Sequence, residues 1–372
     1  MSEPLPAEAF AAALAGLPGM GPARLRAVLA AWPAEEAWGR VAAGQACERA
    51  PVALACRPDA AGVAALWRAA ARRASPERVW EGCVRAGVAV LLAGAGGFPG
   101  CLDDDPDPPA VLFSLGDPAV VEGRRVAIVG TRRCSRYGRE VAYELGRDLA
   151  AAGVRVVSGL ALGIDGAAHR GALATAGAPP VAVVGSGLDV VYPPGHASLW
   201  ADVARAGLLL SEAPLGARPE PWRFPVRNRV LAGLAEVVVV VESAERGGSR
   251  HTVEAAMVRD RQVMAVPGSV RSPVSAYTNA LLADGCHPVR DAVDVLVALG
   301  LSTVPAASAD QRPPPEPGDE AGVLEALGWE PAAFEDLCAR TGRTPGQVSV
   351  ALARLQHAGW VGERGGWWER IG

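Results

Sequence analysis

Five consecutive valines, Val237–Val241, end the stretch FPVRNRVLAGLAEVVVVVES at residues 224–243. β-Branched side chains are stiff and favour extended backbone, and a run with no polar alternation is apolar on both faces. Only a strand covered on each side accommodates it. One short turn upstream stand Arg227, Asn228 and Arg229, which place anion-binding groups against the edge of that core.

Five other segments have the same character: Arg125–Val129, Val154–Ser158, Val181–Val184, Leu208–Ser211 and Val263–Val266, with Val237–Glu242 as the sixth. Each is short and apolar, and helix-length stretches such as SRYGREVAYELGRDLAAAG separate them. Alternation of this kind predicts an α/β fold, a doubly wound parallel sheet with right-handed crossovers. Ligands of such sheets bind beyond the carboxyl ends of the strands. Four segments organise the chain: an Ala-rich helical part over residues 1–78, the α/β domain over 79–301, a Pro-rich linker over 302–318 (STVPAASADQRPPPEPG) and a small terminal unit over 319–372.

The net charge of −4 argues by itself against a nucleic-acid binder, but its distribution points the other way. Between Gly123 and Arg139 there are six arginines (124, 125, 132, 133, 136 and 139) and no acid, while acids gather elsewhere, as in Asp103-Asp104-Asp105. Screening limits each charge to a reach of about 10 Å, so a local patch is the relevant footprint. Every basic residue is arginine and none is lysine. Coding bias explains that choice; its physical result is a surface of planar forks suited to phosphate. Seven scattered cysteines without a CxxC pair suit reduced thiols in a cytoplasm, and predict neither a disulfide framework nor a metal site. No apolar run approaches the roughly 20 residues of a membrane span, and the N-terminus lacks the basic start of a secretory signal.

The strand-end loops carry the chemistry. In VAIVGTRRCSRYGRE a strand ends at Gly130 and a helix opens near Ser135, with Thr131, Arg132 and Arg133 between; free N–H groups and a positive dipole end are expected there. The pattern is not GxGxxG, and Ser158-Gly159 stands where a ribose-binding acid would follow the next strand. In SGLALGIDGAAHRGAL, Gly159 and Gly163 frame a second loop; Asp165 reads as a cap or first-turn acid and His169 as a packing histidine, since no nucleophile accompanies them. The loop GSGLDVVYPPGHASLW, opening at Gly185, offers Tyr192 to stack on a base or to pack. In ERGGSRHTVEAAM, Ser249 and Thr252 open another helix in an anion-holding arrangement. Arg227 and Arg229 are two apart and cannot share a helix face; one is expected to face an anion and the other to brace a carboxylate such as Glu212.

The motifs VGTRRCSRYG, SGLALGIDGAAH, GSGLDVVYPP, LLLSEAP, FPVRNRVLAGL, GGSRHT and AVPGSV together resemble the DNA-processing protein A family (DprA, also called Smf), in order and spacing, over essentially the whole chain. The resemblance implies an extended Rossmann-like fold that binds single-stranded DNA without hydrolysing it, a homodimer, and handover of incoming DNA to the RecA recombinase in natural transformation. It implies that Gly130, Thr131, Arg132, Ser158, Gly159, Gly163, Gly185, Arg227, Asn228, Arg229, Ser249 and Thr252 line the phosphate-holding pocket, with Arg132 leading; Arg133 adds charge. No cofactor is implied. Four positions depart from the family pattern: Pro194, His196, Gly247 and Tyr277. LPGMGPARLRAVLAAW, residues 17–32, resembles a helix-hairpin-helix with Arg24 and Arg26 beside its turn. Residues 319–372 read as a winged helix, but the third helix, PGQVSVALARLQHAG, offers only Arg354 and His357 for a duplex. Two alternatives remain open: a nucleoside-monophosphate phosphoribohydrolase, faintly echoed by ERGGSRHTVEA, and a winged-helix duplex-DNA regulator.

Overall fold

The computed structural model describes residues 4–301 and 314–371; most of the Pro-rich linker lies outside these. The chain divides into two compact units at about residue 305. The first is built on a nine-stranded sheet. Its strands are β1 (Ala89–Leu92), β2 (Val111–Gly116), β3 (Arg125–Val129), β4 (Arg155–Ser158), β5 (Val181–Val184), β6 (Leu208–Ser211), β7 (Val237–Val240), β8 (Gln262–Ala265) and β9 (His287–Pro288). The spatial order is β1-β2-β6-β5-β4-β3-β7-β8-β9. From β6 to β9 all neighbours are parallel. The six strands expected from the sequence form the centre of this array. What the sequence reading omitted is the edge: β2 pairs antiparallel with β6, and β1 antiparallel with β2. The chain order reverses between β3 and β7, which is the topological switch point of the sheet.

The valine run shows why the sheet must be covered twice. Val237, Val239 and Val241 enter one core with Val126, Ile128 and the helix Arg136–Ala151. Val238 and Val240 enter the opposite core with Ala127, Val129 and the helix Arg223–Leu234. Alternate side chains point to opposite faces of a strand, so an unbroken apolar run feeds both cores at once. Each fully buried valine contributes on the order of 1.5–3 kcal/mol of transfer free energy.

Six helices precede the sheet: Ala7–Ala15, Pro22–Ala31, Ala34–Ala43, Ala50–Ala55, Ala60–Ala71 and Pro76–Arg85. They belong to the first compact unit and share a core with the β5–β6 side of the sheet, where Leu14, Val28 and Trp67 cluster with Phe113, Ala182 and Leu209. Arg26 pairs with Asp107 and donates to the Pro108 carbonyl at 3.1 Å; Arg24 donates to the carbonyls of Gly19 (2.8 Å) and Ala55 (3.2 Å). The two arginines expected beside a phosphate-binding turn therefore tie the helices together and to the sheet domain.

The second unit has helices Asp319–Leu327, Phe334–Thr341 and Pro345–His357, and strands β10 (Ala332–Ala333), β11 (Val361–Arg364) and β12 (Trp367–Arg370) in the order β10-β12-β11. Val323, Leu324, Leu337, Val348, Leu352 and Leu355 fill its core. Thr344 and Gln347 form a capping box that starts the third helix. On that helix Arg354 reaches Glu316 (3.3 Å) and Glu320 (3.5 Å). Among the described residues no helix is long and apolar enough to cross a membrane.

Candidate nucleic-acid interface

The carboxyl ends of β3, β4 and β5 converge on a small pocket of ≈ 50 Å³ lined by Arg132, Gly159, Gly185, Tyr192, Phe224 and Arg227, among others. Four of the residues expected from the sequence are brought together here: Arg132, Gly159, Gly185 and Arg227. Arg132 is exposed on the loop after β3. Its guanidinium lies over the Phe224 ring at 4.9 Å, and Phe224 in turn meets Tyr192 at 5.6 Å between centroids. A guanidinium resting on an aromatic face keeps its charge while losing little freedom on binding. Phe224 stands within the quoted motif FPVRNR, but it carried no role in the sequence reading; an aromatic three residues before an arginine is only a weak signal without the fold.

Arg227 forms the floor. Its residue exposure is 7 %, and Nη1 donates to the Val183 carbonyl. Burial pushes the Arg227 pKa down to about 10, against the attraction of Asp165, so the group stays charged at neutral pH. Gly159 makes room for it, because a Cβ there would run into the guanidinium. Asp165 is buried and accepts the Gly159 N–H at 3.1 Å. Burial raises its pKa, and Arg227 opposes that rise. It lies in the first turn of the helix Ile164–Leu173, whose N-cap is Gly163. His169 is fully buried, and burial lowers its pKa to about 3 against the opposing influence of the Ser158 main chain. A neutral histidine sealed in the core fits the packing role and not proton transfer to a ligand.

The remaining expected residues fall outside this pocket. Arg229 is the bracing arginine: Nη2 meets Glu212 at 2.5 Å and Nε meets Asp107 at 3.1 Å. Burial raises the Glu212 pKa to about 7 even though Arg229 lowers it. Asn228 is half-buried between the two arginines, and Arg133 is exposed beside Arg132. Ser158 is buried and donates to the Ile128 carbonyl at 2.6 Å. Ser249 donates to Ser243 Oγ at 2.6 Å, and both Ser249 and Thr252 are buried. Thr131 donates its N–H to the Glu242 carbonyl at 2.7 Å. The glycine at 247 suits the chain, since a Cβ there would stand 2.5 Å from Ser243 Oγ. His196 is buried, with Nδ1 3.0 Å from the Leu160 carbonyl, and Arg250 sits over the Tyr277 ring at 5.3 Å. Pro194 begins a 3₁₀ turn beside the pocket.

Arginine-rich though it is, the segment 123–139 does not form one patch. Arg124 pairs with Glu236 at 2.8 Å, and Arg125 donates to the carbonyls of Leu234 (2.6 Å) and Val121 (2.8 Å). Arg136 pairs with Glu140 at 2.7 Å. Arg132, Arg133 and Arg139 are exposed. The helix start at Ser135, expected to offer free N–H groups, is already occupied: the Ser135 N–H and hydroxyl donate to the Glu242 carboxylate at 2.8 and 2.6 Å. Anion capture on this loop falls to side chains. Glu254, the carboxylate in the phosphoribohydrolase-like stretch, is exposed on its helix and pairs with His251 at 3.4 Å.

Known proteins resemble this chain in both of its units. Residues 89–300 match the family described as DNA recombination-mediator protein A, and residues 307–366 match the DprA winged helix domain. The chain is 40 % identical over 271 residues to the putative DNA processing protein DprA of Mycobacterium tuberculosis, covering 70 % of this chain and 68 % of that one. It is 35 % identical over 272 residues to the protein Smf of Escherichia coli, covering 71 % and 72 %. Among solved structures it resembles DNA processing protein A from Streptococcus pneumoniae (29 % identity, TM-score 0.66, 79 % of this chain and 98 % of that one). It also resembles DNA processing protein A from Helicobacter pylori, described for its single-stranded DNA binding mode (28 % identity, TM-score 0.52, 57 % and 95 %).

Proposed function

Since the chain belongs to the DNA recombination-mediator protein A family, we propose that it binds single-stranded DNA at the carboxyl ends of β3, β4 and β5. The single observation that carries this reading is Arg132: an exposed guanidinium resting on Phe224, beside the buried, charged Arg227. Arg132 and Arg133 meet successive phosphates, Arg227 supplies positive potential from beneath, and Tyr192 and Phe224 offer faces to unstacked bases. Gly130, Thr131, Ser158 and Gly163 shape the loops that hold these groups. Asn228, Arg229, Ser249 and Thr252 keep the neighbouring elements in place. The role is one of binding, not catalysis: Asp165 and His169 are sealed inside, and Glu254 lies on a helix surface.

By the same reading the protein is a cytoplasmic homodimer that protects incoming DNA and loads the RecA recombinase during natural transformation. The winged helix takes a protein-contact role, because its third helix commits Arg354 to Glu316 and Glu320. The test is affinity for a long oligo-dT against a duplex of equal length, across salt. Preference for the single strand with a steep salt slope is expected; equal or stronger duplex binding overturns the proposal. Robust turnover of nucleoside monophosphates would move the chain to the phosphoribohydrolase class.

A further inference from the structure

Doubly wound sheets leave a crevice at the switch point, where the phosphates of a nucleotide rest on a helix start. In this chain that position lies between β3 and β7, and it is filled from within. Glu242 follows the valine run and is 2 % exposed. Its Oε2 accepts the Ser135 N–H at 2.8 Å and its Oε1 accepts the Ser135 hydroxyl at 2.6 Å. Ser135 is the N-cap of the helix Arg136–Ala151. Gly138, in the first turn of that helix, lies so close that a Cβ would run into the Glu242 carboxyl group. The Glu242 main chain takes part as well, since its carbonyl accepts the Thr131 N–H at 2.7 Å. A buried carboxylate is costly unless its oxygens are satisfied. Here the donors are those that a phosphate would use: a helix-start N–H, a capping hydroxyl and the positive end of the dipole.

We infer that Glu242 determines specificity as a built-in anion: it occupies the phosphate position at the switch point, excludes inorganic phosphate and free nucleotides from it, and leaves anion binding to Arg132 on the rim. The same contacts hold both ends of the loop from Thr131 to Ser135, so that Arg132 projects over Phe224. This goes beyond single-strand binding, and its main test does not depend on that reading.

The experiment uses the full chain with Glu242→Ser and Glu242→Gln, titrated with inorganic phosphate and with AMP. Glu242→Ser removes the carboxylate and empties the position; it should bind inorganic phosphate at least tenfold more tightly than the natural chain. Glu242→Gln keeps the volume and should gain no phosphate affinity. A folded Glu242→Ser with the phosphate and AMP affinities of the natural chain overturns the inference. Should Glu242→Ser fail to fold, Glu242→Gln still decides. With this buried anion at the carboxyl end of β7 neutralised, oligo-dT should bind about threefold more tightly at low salt and converge with the natural chain at high salt, as a screened charge effect must. Unchanged or weaker oligo-dT binding by Glu242→Gln overturns it. A natural chain that ignores oligo-dT would sink the single-strand reading, while the phosphate arm would still judge Glu242.

Discussion

The two ends of the parallel strands hold the same residue type and put it to opposite uses. At the amino end, Arg124, Arg125, Arg259 and Arg261 are spent on acids and carbonyls: Arg124 on Glu236, Arg125 on Leu234 and Val121, Arg259 on Asp105, and Arg261 on Gly233. At the carboxyl end, Arg132 and Arg133 are exposed, and the buried Arg227 lines the same pocket as Arg132. Arg125 and Arg132 are seven positions apart, but the five-residue strand between them separates the ends of the sheet by about 16 Å. That exceeds the Debye length at physiological salt. A run of arginines in sequence is thus two populations in space, one structural and one available to a ligand.

The sharpest way to break this contrast is at Arg259. Its Nε and Nη2 meet Asp105 at 2.7 and 2.8 Å, and the two side chains are 5 % and 3 % exposed. Arg259→Ala leaves a buried carboxylate without its counter-charge and should cost about 3–5 kcal/mol, read as a lower melting temperature or denaturation midpoint. A melting temperature matching that of the natural chain would show that the amino end is not the structural one.

Arg132→Ala tests the other end. Oligo-dT affinity should fall about tenfold, or ~1.4 kcal/mol, and the salt slope should shrink by about 0.7, the share of one phosphate contact on a single strand. The melting temperature should stay put. Natural affinity with an unchanged slope would remove Arg132 from the interface; lost stability would place it with the amino-end arginines.

The smallest effect concerns pH. The Glu212 pKa is raised to about 7 by burial, above its ordinary value of 4.5. The folded state therefore holds more protons than the unfolded chain between about pH 4.5 and 7, and stability from this group falls as pH rises through that window. His169, lowered from 6.5 to about 3, acts with the opposite sign, losing stability as pH falls below 6.5. Glu212→Gln removes only the first contribution. Measured as melting temperature against pH, the difference between variant and natural chain should rise from pH 5 to pH 7 in the variant's favour, by on the order of 1 kcal/mol. A flat difference would place the Glu212 titration outside that window.

The β-branched runs made the central strands legible, because burial on both faces leaves a local mark in the residues themselves. The edge strands β1 and β2 left a weaker one: β2 pairs antiparallel with β6 across a long stretch of chain and β1 antiparallel with β2, and nothing local to either strand specifies its partner. The winged helix was legible as three helices followed by a closing hairpin. At the candidate interface, the glycine loops and Arg132 stood out through motif spacing. Phe224 and Glu242 did not. An acid that ends a fully buried valine strand could have raised the question of its donors, but the donors belong to Ser135, 107 positions earlier.

By itself, then, the sequence determined which segments are buried on two faces, where the strands end, and which residue types gather at those ends, since periodicity and composition are local. Only the tertiary structure decided which of those residues remain available. Arg229 is taken by Glu212 and Asp107, Ser249 by Ser243, and the helix start at Ser135 by Glu242. Arg132 alone of the expected pocket residues combines exposure with an aromatic support and a second buried arginine nearby. The physical reason is that a charged or polar group is satisfied through space, over a few ångströms, by whatever the fold brings there, and those partners can lie more than a hundred residues apart in the chain.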